Sequence, residues 1–148
     1  MAKPHKHAGL RMLATTKLAD ADIAQLAKKA AEGAAVKIPQ WSTARLEKAA
    51  PGLLEFSVRG PGGLVEQMVF ALEATTEGGA TKMQSAITRY KTSQSKSFGF
   101  IPTGPKKMLG LPAYRKWIAN FTAALQEADP GAQIDVNGPL NNSIGQWV

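Results

Sequence analysis

The sequence contains no cysteine, which excludes disulfides, thiolate nucleophiles and thiolate metal sites. Its two histidines, His5 and His7, lie close to the amino terminus, and the first acid along the chain is Asp20. Two imidazoles alone do not make a metal site, so we predict neither a metal nor a cofactor. With no other histidine, a Ser-His-Asp arrangement is excluded from the rest of the chain, and no acid pair on the predicted strands favours acid–base catalysis. The sequence favours a non-catalytic protein and leaves enzymatic activity open.

Long hydrophobic runs are absent as well. No uncharged apolar run approaches the roughly 18 to 20 residues that span a bilayer, so the sequence predicts no transmembrane segment. The first ten residues are basic but are not followed by the apolar segment that a secretory signal needs. We therefore expect a cytoplasmic protein.

The chain has 148 residues, of which 44% are hydrophobic, enough for one domain with one core. We predict a flexible tail at residues 1–9, a single domain at residues 10–129 and a second tail at residues 130–148. The formal net charge of +7 is compatible with anionic ligands, nucleic acid or lipid, or with no specific partner.

The first part of the domain has signals for a strand and two short helices. A strand is predicted at residues 10–18, and Asp20 or Asp22 is a suitable cap for the following helix, which Gly33 ends. After a connection, Ser42 or Thr43 is a suitable cap for a second, brief helix that ends at Pro51-Gly52.

The pattern then changes to the period of two that is typical of strands. Leu54, Phe56 and Val58 alternate with polar residues, so that one face of the strand meets a core. Glycine-rich turns separate this segment from two further apolar segments. We predict an antiparallel meander with strands at residues 53–59, 64–75 and 81–92.

A long loop at residues 93–111 leads to the last helix, in which Pro112 occupies the first turn. The helix carries an apolar stripe at helical spacing, formed by Tyr114, Trp117, Ile118, Phe121 and Leu125. The predicted fold class is therefore α+β, a twisted antiparallel sheet with two short N-terminal helices and a long C-terminal helix packed across it.

This order of elements resembles the START-like, polyketide cyclase and lipid transport superfamily, which has the helix-grip architecture. The resemblance rests on residues 14–30, which read ATTKLADADIAQLAKKA, and on residues 99–125, the last loop and helix. It implies non-catalytic binding of a small hydrophobic or amphipathic molecule between the sheet and the C-terminal helix. Between the predicted helices we count about three strands where that superfamily has about six, which would give a smaller or more open cavity.

Several large apolar side chains are candidates to line such a cavity. They are Phe56, Met68, Phe70, Met83, Trp117 and Phe121. An amphipathic stripe of this kind is also typical of plain core, and the sequence leaves both interpretations open.

Charge is segregated along the chain. Residues 78–126 contain no acid and eight basic residues, and the start of the last helix adds positive potential. The alternative hypothesis is therefore a nucleic-acid or anion-binding module with weak affinity for polyanions, and a solvated basic face without a ligand is the simpler interpretation. The candidate anion-binding residues are Arg89, Lys91, Lys106, Lys107, Arg115 and Lys116.

Overall fold

A computed structural model describes residues 9–35, 42–60, 65–93, 96–97, 101–102 and 107–137. Its helices are α1 (Asp20–Glu32) and α2 (Leu111–Ala128). Its main strands are β1 (Met12–Thr16), β2 (Thr43–Ala50), β3 (Leu53–Arg59), β4 (Glu66–Glu77) and β5 (Ala80–Tyr90). Shorter strands are β6 (Thr92–Ser93), β7 (Lys96–Ser97), β8 (Ile101–Pro102), β9 (Lys107–Met108) and β10 (Gln133–Val136).

Six strands form one antiparallel sheet in the order β10-β1-β5-β4-β3-β2. The inward side chains of β3 and β4, such as Phe56 and Phe70, share one hydrophobic core with α1 and α2. Both helices therefore cover the same face of the sheet, and the predicted α+β class is confirmed.

The predicted second N-terminal helix is wrong, because the segment between Thr43 and Ala50 is strand β2. Its residues have good helix propensity, but tertiary pairing overrides propensity. Ala44 and Leu46 of β2 contribute to the core, and the strand pairs with β3 through a tight turn in which Ala50 faces Leu53. This segment therefore belongs to the sheet and is not a helix, and the described part of the chain holds two helices.

Gly110 fixes the entry of α2 onto the sheet. Its φ of 84° lies in the left-handed region, which glycine adopts without strain. A Cβ atom here would lie 3.0 Å from Met68 Cβ and 3.1 Å from Val58 Cγ1. The first turn of α2 can therefore approach β3 and β4 closely.

Strand β10 lies within the C-terminal tail predicted at residues 130–148. It pairs with β1, where Ala14 faces Ile134, and so forms one edge of the sheet. The Asn137 side chain extends this connection, since it accepts a hydrogen bond from the amide of Arg11 over 2.6 Å and donates one to the carbonyl of Gly9 over 2.9 Å. The remainder of that tail, and residues 1–8, lie outside the described residues.

Candidate ligand-binding cleft

The six residues predicted to line a cavity all lie in the hydrophobic core, and the four aromatic rings among them contact one another. All are at most 3% exposed. The ring centroids of Phe56 and Phe70 are 5.1 Å apart, those of Phe70 and Trp117 are 4.9 Å apart, and those of Trp117 and Phe121 are 5.1 Å apart. Such separations are typical of packed aromatic pairs. Side chains therefore fill the space between the sheet and α2 around this cluster.

The hydroxyls of Tyr114 and Ser85 are paired inside this core. Tyr114 Oη donates a hydrogen bond to the carbonyl of Leu10 over 2.9 Å and lies 2.9 Å from Ser85 Oγ, which accepts one from the amide of Met12. Burial raises the pKa of Tyr114 to about 12, because a buried phenolate is poorly solvated. These bonds fasten α2 to β1 and β5.

A separate cleft of about 510 Å³ lies where the first half of α1 crosses the β2–β3 hairpin. It exceeds two other grooves on the described surface, which have volumes of about 270 and 210 Å³. The cleft exists because small side chains meet there. Ala21 and Ala24 project from α1, Ala49 and Ala50 end β2, and Ala74 lies on β4.

Larger apolar residues form the rest of the lining. Ile23 and Leu72 are each 1% exposed and belong to the hydrophobic core as well as to the cleft. Leu53, Ala24 and Ala74 are half-buried, so the lining runs from the core to the surface. A ligand in the cleft would contact side chains that are already held in place by core packing.

The β2–β3 turn holds one wall of the cleft. Gly52 has a φ of 73°, and its carbonyl accepts a hydrogen bond from the amide of Ala74 over 3.0 Å. A Cβ atom at Gly52 would lie 2.9 Å from the Ala74 carbonyl oxygen, closer than non-bonded atoms allow. Glycine at this position therefore permits the turn to dock on β4.

Asp20, the first residue of α1, is the one charged residue in the described lining of the cleft. All other lining residues are alkyl side chains, proline or glycine. Such a lining offers van der Waals contact and a single negative charge, and it contains no nucleophile paired with a base. Across the described ranges, no three acids or histidines cluster as a metal ion would require. The cleft is suited to binding.

This cleft was not predicted from the sequence. Its signal is weak, because a single alanine does not indicate a cleft, and this cleft forms only where alanines from three elements lie together. The run Ala49-Ala50-Pro51-Gly52 and the alanines of α1 are the residues from which it could have been inferred.

The predicted anion-binding residues are spread over different environments. Arg89 Nε lies 2.7 Å from Glu66 Oε1, and the Arg89 hydrogen bond lowers the pKa of Glu66. Arg115 is fully buried, and burial lowers the pKa of its guanidinium. Lys116 Nζ donates a hydrogen bond to the Ala35 carbonyl over 3.0 Å, beside the end of α1.

Strand pairing brings the backbones of two predicted anion-binding lysines, Lys91 and Lys107, near each other. Lys91 is exposed at the end of β5, and the next strand, β6, pairs with β9, where Ser93 faces Lys107. Lys106 lies outside the described residues, as does the side chain of Lys107.

Among the described residues, neither helix has the length and apolar character needed to cross a membrane. Comparison of the chain with protein-family models, with curated proteins and with solved structures found no match to any of the three.

Proposed function

We propose that this protein binds a small hydrophobic or amphipathic molecule, without chemical conversion, in the cleft between α1 and the β2–β3 hairpin. The observation that carries the proposal is the open space of about 510 Å³ with an almost wholly apolar lining. Sites for small molecules are typically concave and mostly apolar, with volumes of about 300 to 1,000 Å³.

The free energy of binding would come from apolar surface removed from water. Burial stabilises by about 25 cal/mol for each Å² of apolar surface, and the half-buried side chains of Ala24, Leu53 and Ala74 leave such surface accessible in the empty cleft. Because core residues form part of the cleft lining, a ligand would order few additional side chains. This limits the entropic cost of binding.

This site differs from the one that the resemblance to START-like proteins implies. That resemblance remains a hypothesis, and in its architecture the ligand would lie between the sheet and the C-terminal helix. Here Trp117 and Phe121 occupy that space together with Phe56 and Phe70. The cleft at α1 is the alternative location that the packing leaves open.

The proposal can be tested with N-phenylnaphthylamine, an uncharged probe whose fluorescence rises in apolar surroundings. We expect saturable binding to the wild-type protein. Ala74→Leu and Ala24→Leu fill the cleft from opposite walls and should each weaken binding at least tenfold. Ala123→Leu is the matched control, because Ala123 is exposed on α2, and it should leave binding unchanged. Absence of saturable binding to the wild-type protein would contradict the proposal, as would equal binding by all four proteins.

A second candidate function, weak polyanion binding, has one structural observation in its favour. The β6–β9 pair brings the backbone of Lys107 close to Ser93, two residues after the exposed Lys91. Elution from a heparin column tests it, because polyanion binding weakens steeply with salt. Lys91→Glu should elute at lower salt than the wild-type protein, and Lys28→Glu, on the exposed side of α1, should have a smaller effect. Equal shifts for both variants would show a response to net charge only.

A further inference from the structure

We infer that the cleft selects an amphiphile with a positively charged head group, such as a primary alkylamine, and that Asp20 receives the head group. This inference rests on the proposed function, since it names the class of ligand for the same site. The juxtaposition that supports it is a single carboxylate in an otherwise apolar lining that includes Ile23, Leu53 and Leu72.

Three acids have hydrogen-bond or ion-pair partners in the structure. Glu47 lies 2.6 Å from Arg45 Nε, and Glu66 lies 2.7 Å from Arg89 Nε. Asp129 accepts a hydrogen bond from Thr16 Oγ1 over 2.6 Å. Within the described ranges, the Asp20 carboxylate accepts no hydrogen bond and forms no ion pair. Its charge is therefore available to a ligand.

The start of α1 carries two acids that lie in different surroundings. Asp20 and Asp22 are both in the first turn of α1. Asp22, however, lines a different groove, together with Leu18 and Leu26. Asp20 is therefore the acid of this turn that lines the cleft.

The overall charge of the protein disfavours a cationic ligand. The net charge of +7 favours anions at long range. A preference for a cationic ligand would therefore have to come from a nearby group, and non-specific attraction to the protein would instead favour the anionic probe. Because the two effects have opposite signs, tighter binding of a cationic ligand would indicate the nearby carboxylate and not the net charge.

The experiment compares three probes with ten carbon atoms each, decylamine, decanol and decanoic acid, by isothermal titration at neutral pH and below their micelle concentrations. An exposed ion pair contributes about 0.2 to 1 kcal/mol, which corresponds to a ratio of about 1.4 to 5 in affinity. We expect decylamine to bind tighter than decanol by such a factor, and decanoic acid to bind more weakly than decanol.

The matched variants are Asp20→Asn and Asp22→Asn, which remove the same charge from the same helical turn. Asp20→Asn should bring the three affinities together, whereas Asp22→Asn should largely keep the order. If both variants reduce decylamine binding equally, or if decanoic acid binds as tightly as decylamine to the wild-type protein, the inference is wrong.

Failure of the inference and failure of the proposed function can be told apart. If the three probes bind with equal affinity and Ala74→Leu abolishes all three, the cleft binds apolar molecules but does not select their charge. If none of the three binds, the proposed function itself is contradicted.

Discussion

The indole nitrogen of Trp117 donates a hydrogen bond to the backbone carbonyl of Ala27 over 3.0 Å. This bond links α2 to α1, and the same indole ring packs on Phe70 of the sheet. One side chain therefore connects both helices and the sheet. It also explains why the space under α2 is closed, because a displaced Trp117 would leave its buried N–H without a partner.

The packing of Phe121 gives the first prediction. Its ring is fully buried and stacks on Trp117 with an interplanar angle of 9°. Phe121→Ala should lower the free energy of unfolding by about 3 to 5 kcal/mol, measured by urea denaturation. Gln126→Ala, at an exposed position of the same helix, is the control and should change it by less than about 0.5 kcal/mol. A loss below about 1 kcal/mol for Phe121→Ala would show that this face is not core.

The buried Tyr114 hydroxyl predicts a loss of stability in alkaline solution. Burial raises the pKa of Tyr114 from 10.0 to about 12 in the folded protein. A group with a raised folded pKa stabilises the native state below its unfolded pKa, and that contribution is lost as pH rises through the folded value. The free energy of unfolding should therefore fall between about pH 10 and pH 12, followed by chemical denaturation. Tyr114→Phe should show a shallower decline, and an equal decline would exclude Tyr114 as its cause.

The lowered pKa of Glu47 predicts a loss of stability in acidic solution. Its carboxylate accepts hydrogen bonds from Ser57, Arg45 and Arg59, which lower its pKa from 4.5 to about 2. Because the folded pKa is depressed, the stabilisation is present above the unfolded pKa and is lost as pH falls towards about 2. Glu47→Gln should flatten the acid limb of the stability curve. Glu127→Gln, at an exposed position of α2, should leave that limb as in the wild-type protein.

Two glycines with positive φ differ in what surrounds them. At Gly52 the φ is 73° and a Cβ would lie 2.9 Å from a carbonyl oxygen, whereas at Gly78 the φ is 58° and nothing lies within 4 Å. Gly78→Ala should cost about 1 to 2 kcal/mol for the left-handed conformation alone. Gly52→Ala should cost more, and it should also weaken probe binding, because the β2–β3 turn must move away from β4. Equal losses from thermal unfolding would contradict the described contact.

Much of the fold could be predicted where one strong pattern determined one element. The helical spacing from Tyr114 to Leu125 predicted α2, and the alternation around Phe56 predicted β3 between the bounds that the structure shows. In both cases the burial of one face agrees with local propensity, so that the two signals reinforce each other.

Strand β2 could not be predicted in this way. Ala44, Leu46 and Ala49 are compatible with a helix, and only the turn at Gly52 and the pairing with β3 determine the strand. The same reason applies to β10, a short segment that becomes a strand by pairing with β1. Non-local pairing is not encoded in the period of a single segment.

The candidate site depends still more on tertiary structure. The sequence correctly placed Trp117 and Phe121 on an apolar face, but whether such a face lines a cavity or a filled core depends on the side chains opposite. The cleft in turn depends on small residues, Ala24 and Ala74 among them, that are brought together from separate elements. No rule about residue spacing within one segment predicts that these residues lie together.

The most direct test of the account is the position of a bound ligand, measured by amide chemical-shift changes when decanol is added to the isotopically labelled protein. We expect saturable shifts at Ala24, Leu53 and Ala74, with little change around Trp117 and Phe121. Shifts centred on Trp117 and Phe121 would contradict the account, because they would place the ligand in the space that the structure shows to be filled, and absence of saturable shifts would contradict ligand binding at the cleft.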